Sequence, residues 1–315
     1  IAQPGDTVYI HPGNYFETVI PYNSGTLEEP IVYIGLGDVC IDAENGSREY
    51  CLRILARSHL VFINIHFKGA YWYGIDYKGP SSNVTFDEIE VSENIHPVED
   101  WSYGVVVAGT DGIIDNVNFL NCNIHTNRAH GLYILNEVSN VLIDQCHIHD
   151  NGLSFDDVAD NIIIADWDNE ENGPSNIEIR NCEIDHAARQ GISTWFVKNI
   201  HIHDCHFHHN GATGIQIEDG VRNFVVENNI SELNQQHYNT ETGIWIDDAY
   251  QGIVQNNIIR YNQVGIKVSK SNQVILRNNL IYNNNRLNEE HFHNGGIIFL
   301  AYDNITNKNT ALIHN

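Results

Sequence analysis

Short bursts of alternating apolar and polar residues recur along the chain, each ending in a turn. Ile200, Ile202, Cys205 and Phe207 alternate with His201, His203, His206 and His208, a period of two that puts the first set on the inner face of β-strands and the second on the outer face. The same phrase returns in IEIRNCEIDHAARQGIST, IHIHDCHFHHNGATGIQI and IVQNNIIRYNQVGIKV. A self-similar unit of roughly 20 to 36 residues made of β-type runs predicts a solenoid in which each copy adds one turn. An Asn follows most bursts, at Asn127, Asn151, Asn210, Asn234, Asn262 and Asn284. A Gly then opens the next strand, at Gly104, Gly131, Gly191, Gly214, Gly243, Gly265 and Gly296, with Asn161 in the one departing copy. The pattern predicts an all-β solenoid of about ten coils, a rod of roughly 48 Å at the usual strand spacing.

Cys122, Cys146, Cys182 and Cys205 hold one position in four successive copies, and Asn229, Asn257 and Asn279 continue it. This reads as an internal ladder rather than a metal or disulfide framework. A Cys40–Cys51 pair is left open. One domain is expected over residues 1–315, with an N-terminal cap segment over about 1–35. Insertions fall at Ser92 to Tyr103, Gly152 to Asp160, Trp167 to Ser175, Ser231 to Thr242 and Arg286 to Asn294. In a solenoid these emerge at corners and build a binding wall. The C-terminal run ending at Asn315 reads as the start of another coil, so a further coil or domain is expected beyond it.

Composition narrows the function. No run reaches the ~18 apolar residues of a membrane span. With 41 Asp+Glu against 16 Lys+Arg the net charge is −25, which repels nucleic acid and anionic membranes. The chain has no Met and opens at Ile1, so removal of a leader and secretion are expected.

The repeat, together with the opening Ala2-Gln3-Pro4-Gly5-Asp6-Thr7-Val8-Tyr9-Ile10 and His11-Pro12-Gly13-Asn14-Tyr15, resembles the right-handed parallel β-helix proteins of the pectate-lyase-like superfamily over nearly the whole chain. The resemblance implies that fold, a secreted or cell-surface location, and a polysaccharide or oligosaccharide substrate. The superfamily includes lyases, glycoside hydrolases, uronate epimerases and non-catalytic surface proteins, and a fold alone does not choose among them.

The Gly-opened strand carries the candidate chemistry. If Ile215 and Ile217 point inward, Gln216 and Glu218 point outward, and Ser193 with Trp195, Trp245 with Asp247, and Lys267 with Ser269 occupy the equivalent places. Glu218 and Asp247 become stacked neighbours, with Asp219 and Asp248 at the strand ends. Like charges so placed raise one another's proton affinity, as an acid–base pair requires. Trp72, Trp101, Trp167, Trp195 and Trp245 fall on or beside this strand and offer flat apolar faces for sugar rings. Arg128, His130, His186 and Arg189 lie in the turn leading into it. The expected activity is glycoside hydrolysis with Glu218, Asp247 and Asp248 as catalytic carboxylates. Substrate binding is assigned to Trp195, Trp245, Asp219, Lys267, Arg189, His130 and Trp167. Trp245-Ile246-Asp247-Asp248 and Gly265-Ile266-Lys267 are similar to segments of polygalacturonase-type hydrolases, whose Asn-Thr-Asp and Gly-His-Gly motifs this chain lacks.

Two alternatives stand beside hydrolysis. A lyase or epimerase removes the proton next to a uronate carboxylate, with cations or Ca²⁺ neutralising that carboxylate. Arg189, His130 and Lys267 are its candidates, with Asp166, Asp168 and Glu170 as a Ca²⁺ site; the hydrolase reading requires no cofactor. The other alternative is a non-catalytic carbohydrate-binding surface protein. Outward His147, Glu183 and His206, and His125, His149, Asp185 and His208, read as a solvated ladder rather than a Zn²⁺ site. Asn45 and Asn83 match glycosylation acceptors.

Overall fold

The alternation becomes three parallel sheets of 12, 11 and 10 strands among the described residues. The computed structural model describes residues 1–95, 102–152, 159–166, 172–234, 242–285 and 295–300, and the backbone of 311–314. Each full coil gives one strand to each sheet in turn. Lys198–His203 joins the first, His206–His208 the second and Ile215–Glu218 the third, and each pairs in parallel with its equivalent one coil away. The fold is the expected parallel β-helix. Among the described residues the sole helical element is the three-residue 3₁₀ turn Gly109–Asp111. None of their helices is long and apolar enough to cross a membrane.

One repeat position makes one interior row. Ile200 lies between Ile177 and Phe224, and Ile202 between Ile179 and Val226. Nearer the N-terminus the first-sheet row holds Tyr33, Phe62, Phe86 and Phe119, whose rings stack at 5.0, 5.6 and 5.0 Å. Each fully buried side chain of this size contributes about 1.5–3 kcal/mol, so the rows supply the cohesion. They forbid a one-residue slip, which would turn the outward His side chains into the core, but a slip of two residues still leaves apolar side chains facing in.

Polar ladders fix the register. The Cys146 and Cys182 backbone N–H groups approach the Sγ of Cys182 and Cys205 at 3.4 and 3.5 Å, and the Cys205 N–H donates to Asn229 Oδ1 at 3.0 Å. Asn229 and Asn257 continue the pattern to Asn257 and Asn279. All six cysteines are free thiols; Cys51 Sγ contacts the Lys68 carbonyl rather than Cys40.

The second ladder runs through the Asn turns. Asn127 Nδ2 donates to Asn151 Oδ1 at 2.9 Å, and Asn210 repeats this to Asn234. The Gly row exists to admit these amides: a Cβ on Gly131 would sit 2.6 Å from Asn151 Nδ2, and one on Gly191 3.0 Å from Asn210 Nδ2. The departing copy obeys the same rule in reverse. Ala187 stands where the ladder needs Asn, and the Asn161 side chain fills the vacated space. It accepts from Asn151 Nδ2 at 2.8 Å and donates to the Asp185 carbonyl at 2.7 Å.

The segment expected as a cap over about 1–35 is already wound into the helix. Thr7–Ile10 pairs with Ile31–Gly35 and Gly13–Tyr15 with Val39–Asp42, while the third sheet begins only at Tyr50–Leu55. The insertions lie largely outside the described residues and connect into or out of the third sheet. Asn83 is part of an outer amide row, accepting from Asn116 Nδ2.

The swap at Asn161 and Ala187 yields a test. Asn161→Gly leaves Asn151 Nδ2 without its amide partner and should lower unfolding stability by about 1–3 kcal/mol. Adding Ala187→Asn restores the pattern of neighbouring coils and should recover most of the loss, measured by thermal or denaturant unfolding.

Candidate functional site

The outer face of the third sheet displays its side chains in rows. One row runs Val106, Tyr133, Ile163, Ser193, Gln216, Trp245, Lys267, and the next Ala108, Leu135, Ala165, Trp195, Glu218, Asp247, Ser269. Before the strands lies a third row, Tyr103, His130, Asp160 and Gln190, joined by backbone bonds from Gly104 to His130, Gly131 to Asp160 and Asn161 to Gln190.

Near the middle of this face buried polar groups converge. The His130 ring stacks on Tyr103 at 5.2 Å and 3° and leans on Tyr133 at 5.4 Å. The Asp160 backbone N–H donates to its Nδ1 at 2.9 Å. Burial pushes the His130 pKa down to about 3, with the Arg189 charge acting in the same direction against the Asp160 contact. The ring is therefore neutral, and with Nδ1 accepting, its proton sits on Nε2 as a donor. Asp160 is buried, accepts from the Gln190 N–H through Oδ1 at 2.9 Å, and is raised by burial to about 6, against the Arg189 charge. Its Oδ2, Gln190 Oε1 and Ser193 Oγ are buried without a well-formed hydrogen bond among the described residues, although the Ser193 hydroxyl lies near enough to Asp160 to help hold its pKa down. Buried polar atoms are normally satisfied, so Gln190 Oε1, beside the loosely paired Asp160 and Ser193, marks a place for a polar ligand.

Two groups complete the cluster. The Arg189 backbone bonds Ala159 and Ala212, but its guanidinium makes no ion pair or hydrogen bond among the described residues, and its charge acts on His130, Asp160 and Glu218. Gln190 Nε2 donates to Gln216 Oε1 at 2.7 Å, and Gln216 in turn bonds Glu218. Burial lifts the Glu218 pKa to about 7, against the Gln216 bond and with Asp219 and Asp247 adding to the rise. The face thus combines an unengaged cation, a neutral imidazole donor and a carboxyl that titrates near neutrality.

Of the residues expected from sequence, Glu218, Arg189 and His130 fall in this cluster. Asp247 is the register neighbour of Glu218 but is engaged, accepting from Ser269 Oγ at 2.7 Å with Lys270 Nζ 3.6 Å away. Asp248 turns at a positive φ of 48° and accepts from the Tyr250 hydroxyl, on the first-sheet side of the corner. Asp219 shares that corner conformation, and its pKa is held above the ordinary range by burial and then by Asp247 and Asp248. Trp195 is not the open platform expected: it packs against Ile163 and Ala165 and keeps 9% exposure, because the small Ala165 makes room for its ring. Trp245 is half-buried, with Lys267 Nζ 3.8 Å over its ring and its Nε1 donating to Ser269 Oγ, so Lys267 rests on an aromatic face. His186 leaves the groove altogether and pairs with Asp185. Asp166 is buried; Trp167, Asp168 and Glu170 lie outside the described residues, as does Trp101.

Asp160, Gln190 and Tyr133 were missed from sequence, and Ser193 was placed outward without a role. The signal was present. The residue before each strand-opening Gly or Asn161 forms its own row, and His130, Asp160 and Gln190 occupy it in succession.

Comparison with known proteins agrees with the fold and redirects the chemistry. The A-module of an Azotobacter vinelandii mannuronan C-5 epimerase is similar at 15% identity and a TM-score of 0.67, over 98% of this chain and 91% of that one. A periplasmic alginate epimerase is similar at 14% identity and 0.59, over 91% and 76%. An alginate lyase from Paenibacillus sp. is similar at 15% identity and 0.55, over 95% and 92%. No curated protein matches the chain in sequence. The expectation of a glycoside hydrolase is thereby corrected: these solved structures similar in fold are epimerases and a lyase. A family model described as right handed beta helix region matches residues 73–173 and 171–312. With most of its length matched by that model, the chain belongs to the right-handed β-helix family.

Proposed function

We propose that this protein acts on a uronate-containing polysaccharide by removing the proton beside the carboxylate, the first step common to epimerases and lyases. The observation that carries the reading is the Arg189 guanidinium, without an ion pair or hydrogen bond among the described residues, set beside the buried polar atoms of Asp160, Gln190 and Ser193. A guanidinium is suited to a sugar carboxylate, which it can hold by two parallel hydrogen bonds. The alginate epimerases and lyase similar in fold act on a polymer of that charge type, which supports the assignment.

Each group then has a role. Arg189 binds the substrate carboxylate and neutralises the charge that accumulates there as the adjacent C–H bond breaks. The Nε2–H of His130 donates to the same carboxylate without adding a charge. Asp160 Oδ2, Gln190 Oε1 and Ser193 Oγ take hydroxyl hydrogen bonds and fix the ring. Glu218, as carboxylate, receives the proton; its position near neutrality balances availability against basicity. Return of a proton to the opposite face inverts that carbon. Loss of the neighbouring glycosidic oxygen, with a proton supplied to it, instead leaves a double bond and cuts the chain.

Incubation with uronate polysaccharides in deuterated water decides the reading. Deuterium incorporated at the carbon beside the carboxylate, or an ultraviolet-absorbing unsaturated product, is expected; products heavier by water, or no reaction with any uronate polymer, would sink it. Arg189→Ala should reduce kcat/KM by about 10²–10³-fold, with Arg189→Lys recovering only part.

Glu218→Gln should reduce kcat by about 10²–10⁴-fold and remove the loss of activity that the wild type shows as pH falls below about 7. The sign for stability is opposite. The folded chain holds this proton more tightly than the unfolded one, so the contribution is full below the ordinary Glu range and lost as pH rises through about 7. Glu218→Gln should therefore melt above the wild type near pH 8 and close to it near pH 4.

A further inference from the structure

On the second sheet, away from the groove, three short strands His147–His149, Glu183–Asp185 and His206–His208 lie in register on successive coils. His147 is beside Glu183, and His149 and His208 flank Asp185. Asp185 is nine-tenths buried, at 5% exposure, unlike its neighbours on this face. His147 Nε2 lies 2.7 Å and His208 Nε2 3.9 Å from the same Asp185 Oδ2, and His208 Nε2 is 3.1 Å from Glu183 Oε1. His186 Nδ1 meets the other oxygen of Asp185. One ligand atom each from His147, Glu183 and Asp185 fall within 4.8 Å of one another.

The gathering of imidazoles differs from the rest of the face. Elsewhere a carboxylate among the described residues serves at most two rings: Glu90 faces His66 and His125, Glu232 faces His206, and Glu227 faces His201. His149 is occupied by Asp150 and Asn123. Among the described residues Asp185 alone has three imidazoles within 4.0 Å. We propose that His147, Glu183, Asp185 and His208 form a binding site for one late first-row divalent ion of the Zn²⁺ kind, bridging three coils.

The geometry fits. Metal–nitrogen and metal–oxygen bonds of about 2.0–2.2 Å place tetrahedral ligands about 3.3–3.5 Å apart. Three of the six edges, at 2.7, 3.1 and 3.9 Å, bracket that value, and His147, Glu183 and Asp185 each offer a ligand atom within 4.8 Å of the others, so side-chain rotation bringing His208 toward His147 would close the set around an ion. Two imidazoles and two carboxylates suit a borderline ion better than Ca²⁺, which takes six to eight oxygens. The two carboxylates balance the ion's charge, and His186, whose Nδ1 meets the other oxygen of Asp185, holds that carboxylate in place. Where a solvated ladder was expected, the recessed Asp185 gathers rings from neighbouring coils.

Chelator-treated protein titrated calorimetrically with ZnCl₂ tests the site. A single equivalent binding at micromolar or tighter affinity is expected, raising the melting temperature, with Co²⁺ in its place giving the intense visible absorption of a four-coordinate ion. His147→Gln and His208→Gln should each weaken binding by at least about tenfold, as should Glu183→Gln, whose side chain is half exposed and tolerant of change. His201→Gln, on the first sheet, should leave it unaltered. Several weak equivalents, no binding, unchanged affinity in the three ligand variants, or loss in His201→Gln would each overturn the proposal.

Discussion

Side-chain amides inside the helix are the constraint on which the rest depends. Apolar rows hold the coils together and forbid a one-residue slip, but they distinguish poorly between registers two residues apart. Each ladder Asn instead has one geometry in which its carbonyl accepts and its Nδ2 donates to equivalent groups one coil away. A slip would strand these groups in an apolar interior, where an unpaired amide is expensive. Register is thus imposed by a few polar atoms. The outward rows inherit it, and every functional side chain on the third sheet is aligned as a consequence.

The candidate site sits where the ladder changes partner. Asn161 takes over a place that Ala187 vacates, and Asp160 is the residue just before it. Asp160 consequently directs its N–H to His130 and its Oδ1 to Gln190. The local irregularity of the interior is what joins three coils into one polar cluster on the outside. A strictly repeating solenoid would repeat its surface too, and a catalytic face needs one place unlike the others.

Much of this was legible in the residues. The period of two named the outward positions of the third sheet, so the adjacency of Glu218 and Asp247 and the placement of Gln216, Trp245 and Lys267 followed from counting. What counting omits is where a side chain finds its partner. Asp248 was assigned to the groove because it follows Asp247, but a left-handed corner turns it toward Tyr250. Trp195 was taken as an open ring because it lies on an outward position, yet Ala165 in the neighbouring coil lets it lie down. Asp160 was passed over because it stands outside the strand, where alternation no longer applies.

The change from thiols to amides along the interior ladder carries one more consequence. A thiol is a weak acceptor, whereas amides bonded in series polarise one another. In a solenoid, where stability is close to a sum of nearest-neighbour couplings, the coils from Cys122 to Cys205 are therefore joined more softly at this corner than those from Asn229 to Asn279. His130, Asp160 and Arg189 all belong to the soft stretch. The molecule resembles a spring whose stiffness along this corner changes with the side chain that occupies it.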